Sequence, residues 1–254
     1  MKKPFISLGL IALLLCAAHA FGDATTDLKA YISGGHRGAA WNEFIEPGFK
    51  AFEQQNIPTA YVFLSKAYEK GCRDGLVLYK LALVYAVQNR DADALKVMEE
   101  ALPKLKKDYA TLEASRDVDA QLGILYYRAD QNEKALPLLE QALKLTPNDF
   151  TLLFITGQVL VSLKRPQDAY ARYREALALP VPQVTPDPTA ALLKQLMLVS
   201  FELKKYDESM AYAEKILALD PKNAAALSYR DRINRTKIQM DEDRAIDNMM
   251  KRIQ

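Results

Sequence analysis

Four stretches of this chain, "ADALKVMEEAL", "EKALPLLEQALKLTP", "QDAYARYREALAL" and "DESMAYAEKILALDP", set small and apolar residues three and four positions apart. That spacing lies on one face of a helix. Upstream of each stretch runs a second apolar segment of helical character: "LYKLALVYA", "AQLGILYYRA", "LFITGQVLVSL" and "LKQLMLVSFEL". One such pair cannot bury its own apolar face, but stacked pairs bury it against one another. Paired helices recurring near one period therefore constrain the chain to a helical solenoid.

The segment Arg116 to Asp149 resembles a tetratricopeptide repeat. Leu122, Gly123 and Tyr126 fall on its first helix, Ala135, Leu139 and Ala142 on its second, and Pro147 closes it. Residues 150–183 follow in phase with Gly157, Ala169, Tyr173 and Ala176, and 75–108 fits through Leu81, Ala82, Tyr85, Ala94, Met98 and Ala101. Residues 190–223 fit less closely, because Met197, Ser209 and Ile216 stand where smaller residues are usual. In 41–74, Pro47 falls inside the first helix, so only the half around Ala60, Leu64 and Ala67 carries the pattern. The resemblance implies an all-α, right-handed solenoid of antiparallel helix pairs over residues 41–223.

Two insertions interrupt the array, Tyr109 to Ser115 and Val184 to Thr189. The second lies among four prolines from Pro180 to Pro188, which fix φ and exclude helix. It reads as a stiff spacer, with a partner-binding loop as the alternative.

Ahead of the array, Lys2 and Lys3 precede an uncharged run from Phe5 to Ala18, and "AHA" ends at Ala20. This reads as a cleaved export signal over residues 1–20, too short to span a bilayer. Lipidation at Cys16 is the alternative, disfavoured by the bulky Leu15 before it. The expected location is extracytoplasmic: the bacterial periplasm first, secretion second. Removing Lys2 and Lys3 from 34 basic residues leaves 32 against 32 acidic ones, a neutral chain with no attraction for nucleic acid. Residues 21–40 form an N-terminal segment with a Gly-rich stretch, "SGGHRG". It reads as a hinge, or alternatively as an anion-binding loop using His36 and Arg37.

Chemistry finds little support. The expected mature chain keeps one imidazole, His36, and one thiol, Cys72. It carries no Ser-His or Cys-His arrangement and no phosphate-binding glycine loop. No cofactor, no metal and no enzymatic activity are expected. Cys72 sits in an inter-helix turn, as a small buried residue or as a redox or cross-linking handle.

The first helices are apolar on both faces. Leu78, Leu81, Ala82 and Tyr85 serve packing, yet Tyr79, Leu83 and Ala86 are apolar too. In tetratricopeptide proteins the second face lines a concave groove. The resemblance thus implies a partner-binding lining of Tyr79, Leu83, Ile124, Tyr127, Phe154, Gln158, Val161, Leu198 and Phe201. Ile45, Tyr79, Ala120 and Phe154 stand where some relatives clamp a carboxylate with cations, and only Lys194 is basic there. An apolar peptide or helix of a partner protein fits better. A small apolar or glycan ligand, self-assembly, and filling of the groove by a terminal segment are the alternatives. Residues 224–254 read as a polar capping helix whose stripe of Ile246, Met249, Met250 and Ile253 would fold back or pair with a second chain.

Overall fold

The computed structural model describes residues 24–35, 39–180 and 188–253. The export signal, Cys16, His36, Arg37 and most of the proline-rich spacer lie outside the described residues. Among the described residues all regular structure is helical. The helices are α1 (Ala24–Ser33), α2 (Asn42–Glu53), α3 (Ile57–Glu69), α4 (Gly75–Val87), α5 (Asp91–Asp108) and α6 (Glu113–Arg128). They continue with α7 (Asn132–Leu145), α8 (Phe150–Ser162), α9 (Pro166–Leu177), α10 (Thr189–Glu202), α11 (Tyr206–Leu219) and α12 (Ala224–Ile253). The chain is an all-α solenoid of helix pairs. It falls into two compact units, one through Ile155 and one from Thr156.

One turn design joins the two helices of each pair. Gln55, Asn89, Asp130, Lys164 and Lys204 all adopt left-handed backbone, with φ between 56° and 59°. The next amide in each case donates back across the turn: Asn56 to Ala51, Arg90 to Tyr85, Gln131 to Tyr126, Arg165 to Leu160 and Lys205 to Ser200, at 2.8–2.9 Å. These are Schellman bonds, which satisfy a carbonyl that the helix end leaves open. Left-handed backbone costs about 1–2 kcal/mol in a residue with a Cβ, least for Asn and Asp. Three of the five sites, Gln55, Lys164 and Lys204, have neither Gly nor Asn nor Asp to soften that cost.

Within a pair, small residues set the approach of the helices. A Cβ added at Gly123 of α6 would lie 2.9 Å from Leu139 Cγ of α7. At Gly157 of α8 it would lie 2.4 Å from Tyr173 Cε1 of α9. In the α10–α11 pair the large residue at this place, Met197, is still fully buried, and the neighbouring Ser209 is buried with it. The Ser209 hydroxyl donates to the Met197 carbonyl at 2.8 Å, which gives the buried serine a partner within the pair.

Pro47 does not prevent the first helix of 41–74. α2 runs through it, giving up one backbone bond while burying Ile45, Phe49 and Phe52. Asn56 then caps α3 by accepting from the Thr59 amide at 3.2 Å. The stretch Tyr109 to Ser115 makes little loop. α5 extends to Asp108 and α6 begins at Glu113, so the added residues lengthen helices.

In the second unit, α12 starts as a packed helix and ends as an unpacked one. Ala226 and Ile233 are fully buried. From Ile238 through Lys251 every residue is exposed, including Ile246 at 53%, Met249 at 57% and Met250 at 57%. The expected stripe therefore does not fold back on the array; the side chain of Ile253 lies outside the described residues.

Candidate functional site

The first unit presents the sequences of α2, α4 and α6 to one another, and its polar groups are few and specific. All of α4 from Gly75 to Ala86 is buried, Lys80 included, with 1% exposure. Its ammonium lies 2.6 Å from Asp27 Oδ2 of α1. It also sits 5.1 Å from the Phe49 ring centroid and 4.8 Å from that of Phe52, both on α2. A cation in such a setting needs its carboxylate, and the aromatic faces add attraction. Tyr31, one turn beyond Asp27, is also buried. It donates to Asn42 Oδ1 at 2.8 Å and accepts from Trp41 Nε1 at 3.1 Å. The N-terminal segment is thus docked on the first unit by an ion pair and a short hydrogen-bonded chain.

The equivalent place to Lys80 on α6 is Gln121. It is fully buried, and neither its amide nitrogen nor its oxygen has a hydrogen-bond partner. Asp119 beside it pairs through Oδ2 with Lys106 at 2.5 Å. Along the same helix the surface opens at Tyr127, which is half-buried and whose phenol burial pushes up to about 12.

The nine expected groove residues divide between the two units and differ in exposure. In the first unit Tyr79, Leu83, Ile124 and Phe154 are buried; Tyr127 alone reaches solvent in part. In the second, Gln158 is buried while Val161, Leu198 and Phe201 are half-buried. Five of the nine are therefore buried and not part of an exposed apolar face. Phe201 is partly covered by the chain itself. Its ring meets Tyr229 of α12 edge-on at 5.4 Å, with the Arg232 guanidinium 4.5 Å above it. The helix that follows a pair takes the place a further pair would occupy, and so covers that end.

Ile45, Ala120 and Phe154, read as non-basic at the clamp position, are buried, and Lys194 is exposed. Sequence reading passed over Lys80, Asp27 and Gln121. Lys80 was visible as the one charge in an apolar helix, and its burial was the missing step.

Cys72 is fully buried in the turn between α3 and α4. Burial is the main reason its thiol rises to about 11, which holds it in the less reactive protonated form. Among the described residues no group of His, Cys, Asp and Glu is placed to hold a metal ion. Among them also, no helix is long and apolar enough to cross a membrane. The second unit has a pocket of about 440 Å³ lined by Lys204, Lys205, Asp207, Lys237 and Arg244 among others. Most of its charges pair with one another: Lys205 with Glu208, Lys237 with Asp207, Arg244 with Asp241.

Residues 121–191 match one family model described as a tetratricopeptide repeat, and residues 198–223 match a second with the same description. No curated protein matches the sequence. Among solved structures the chain is similar to YrrB, described as a tetratricopeptide repeat protein with an unusual peptide-binding site. Identity is 21%, over 82% of this chain and 100% of that one, with a TM-score of 0.60. It is also similar to MamA of MSR-1, with 19% identity, coverage of 72% and 98%, and a TM-score of 0.59. MamA from Desulfovibrio magneticus RS-1 aligns at 14% identity over 74% and 98%, with a TM-score of 0.57. At these identities the likeness is one of fold.

Proposed function

We propose, for a chain that belongs to the tetratricopeptide repeat proteins, a role as a non-catalytic protein-interaction scaffold in the bacterial cell envelope. It takes an apolar peptide or helix of a partner protein on the first-helix face of its repeats. The observation that carries this reading is the set of half-buried apolar side chains on the first helices: Tyr127 on α6 of the first unit, and Val161 on α8 and Leu198 and Phe201 on α10 of the second. Apolar side chains that solvent still reaches suit an uncharged segment, which gains by covering them. The export signal read from residues 1–20 supports the envelope location.

Cross-linking and capture in the native cell envelope test this reading, comparing wild type with Tyr127→Glu. The carboxylate should abolish capture while circular dichroism keeps its helical signal. Capture that survives in a folded Tyr127→Glu chain rejects the assignment of the face.

Self-assembly is the second reading, favoured by the exposed Ile246, Met249 and Met250 at the end of α12. Sedimentation over a wide concentration range separates the two. A scaffold without its partner stays monomeric, whereas a self-assembling chain shifts to larger species and loses the shift on Met249→Lys.

A further inference from the structure

We propose that the Lys80 pocket on α2 and α4 is a docking site for an acidic amphipathic helix of a partner, and that α1 fills it until displaced. This rests on the reading of the chain as a scaffold for helical or extended segments. The pocket defines its occupant chemically. Lys80 is buried, so whatever covers it must bring a carboxylate; a neutral occupant would leave an unpaired cation in an apolar site. Phe49 and Phe52 flank the ammonium and demand an apolar helix face around that carboxylate. Asn42 and Trp41 lie where a hydroxylated aromatic one turn later meets them, as Tyr31 does at 2.8 and 3.1 Å. A carboxylate with a tyrosine four residues on is therefore the recognised pattern, and Asp27 and Tyr31 are one instance of it.

α1 has the properties of a removable occupant. Over its described residues, Ala24–Ser33, it packs on α2 far more lightly than the paired helices pack on each other. Its outer side is exposed, Ile32 at 54%. Its C-terminal end runs into Gly34 and Gly35, the latter at φ 87°. Tethering gives α1 an effective concentration of about millimolar, so a partner helix competes only when it binds well or when α1 is weakened.

The test uses the full chain, with Trp41 as reporter. It is the one Trp in the sequence, and it donates to Tyr31, so its emission responds when α1 leaves or is replaced. The probes are three synthetic helices. One has the sequence of residues 24–35; one is an unrelated Ala-, Gln- and Lys-based helix carrying only Asp and Tyr four residues apart; the third is the second with Asp→Asn. The chain carrying Asp27→Ala and Tyr31→Ala should bind the first two at least tenfold more tightly than wild type does, and the Asn helix at least tenfold more weakly. Lys80→Met should abolish binding; if it unfolds, the Asn helix still tests the carboxylate requirement. The proposal is overturned if the unrelated Asp-Tyr helix does not bind, since α1 is then only a cap of this array. It is also overturned if wild type and the double variant bind equally, or if Asp and Asn helices bind alike. Any of these outcomes with Tyr127-dependent capture intact removes the acidic-helix site and leaves the scaffold reading standing. Peptide binding as expected, with capture indifferent to Tyr127→Glu, does the reverse.

Discussion

The Tyr109 hydroxyl donates to Asp74 Oδ2 at 2.5 Å, while Oδ1 of the same carboxylate accepts the amides of Leu76 at 2.9 Å and Val77 at 3.2 Å. One side chain thus caps α4 and fastens the stretch inserted between two helix pairs. Removing the cap with Asp74→Ala should cost about 1–2 kcal/mol from the helix end. The buried Tyr109 hydroxyl, left without its acceptor, adds to that. Tyr109→Phe alone should cost about 1 kcal/mol. Denaturant melts of both single variants and the double should give a coupling of at least about 0.5 kcal/mol. Additive losses would mean that the two residues act separately.

The left-handed residues offer the opposite sign. Lys164 and Lys204, at φ 57° and 59°, bear the cost of a Cβ in that region. Each replaced by Gly should raise stability by up to about 1 kcal/mol, net of the larger entropy of Gly in the unfolded chain. Asn89→Gly, at the same φ, should gain less because Asn tolerates this region. Thermal melts of the three variants check the order, and equal gains at Lys and Asn would contradict it.

At Gly157 the expected effect is loss. A Cβ there would meet the Tyr173 ring at 2.4 Å, and Tyr173 is fully buried. Gly157→Ala should cost about 1–3 kcal/mol through forced movement of the ring. If Gly157→Ala with Tyr173→Leu is no more stable than Gly157→Ala alone, the clash is not the cause.

Stability should fall on the alkaline side. Burial raises the phenols of Tyr31 and Tyr127 from 10.0 to about 12; Tyr126 reaches about 12 by burial and its bond to Glu99. In the unfolded chain these groups lose their protons near 10, while the folded chain keeps them. The unfolded state then binds fewer protons, so unfolding becomes easier as pH rises. The stabilisation is whole below pH 10 and drains away between 10 and 12. Melting temperatures across that window, followed with tyrosinate absorbance, check the direction. A melting temperature constant through it would contradict the burial of these phenols.

The array was legible because its signal is redundant: Gly123 facing Leu139, or Gly157 facing Tyr173, follows from small residues at fixed offsets in helices of fixed pitch. Pro47 misled because a missing backbone bond is local and visible, whereas the burial of Phe49 and Phe52 that offsets it depends on neighbours far along the chain. The candidate site was hidden for the same reason. An apolar second face indicates that something is covered, but not whether the cover is a partner or the chain itself. Only the three-dimensional proximity of Asp27 to Lys80, 53 positions apart, discloses the second possibility. Exposed Met249 and buried Tyr79 likewise differ in packing that hydrophobicity does not record.

Gln121 tests what an unpartnered polar group costs inside the array. Its amide is wholly buried with both polar atoms unpartnered, so Gln121→Leu removes a desolvation penalty and keeps most of the volume. Gln121→Leu should therefore raise stability by about 1–2 kcal/mol in denaturant melts. At 0% exposure the amide is out of reach of a bound segment, so partner capture should be unchanged in the same variant. The conservative Gln121→Asn keeps both polar groups on a shorter arm and should show no gain in stability. A Gln121→Leu chain that loses stability would show that the amide is hydrogen-bonded in solution.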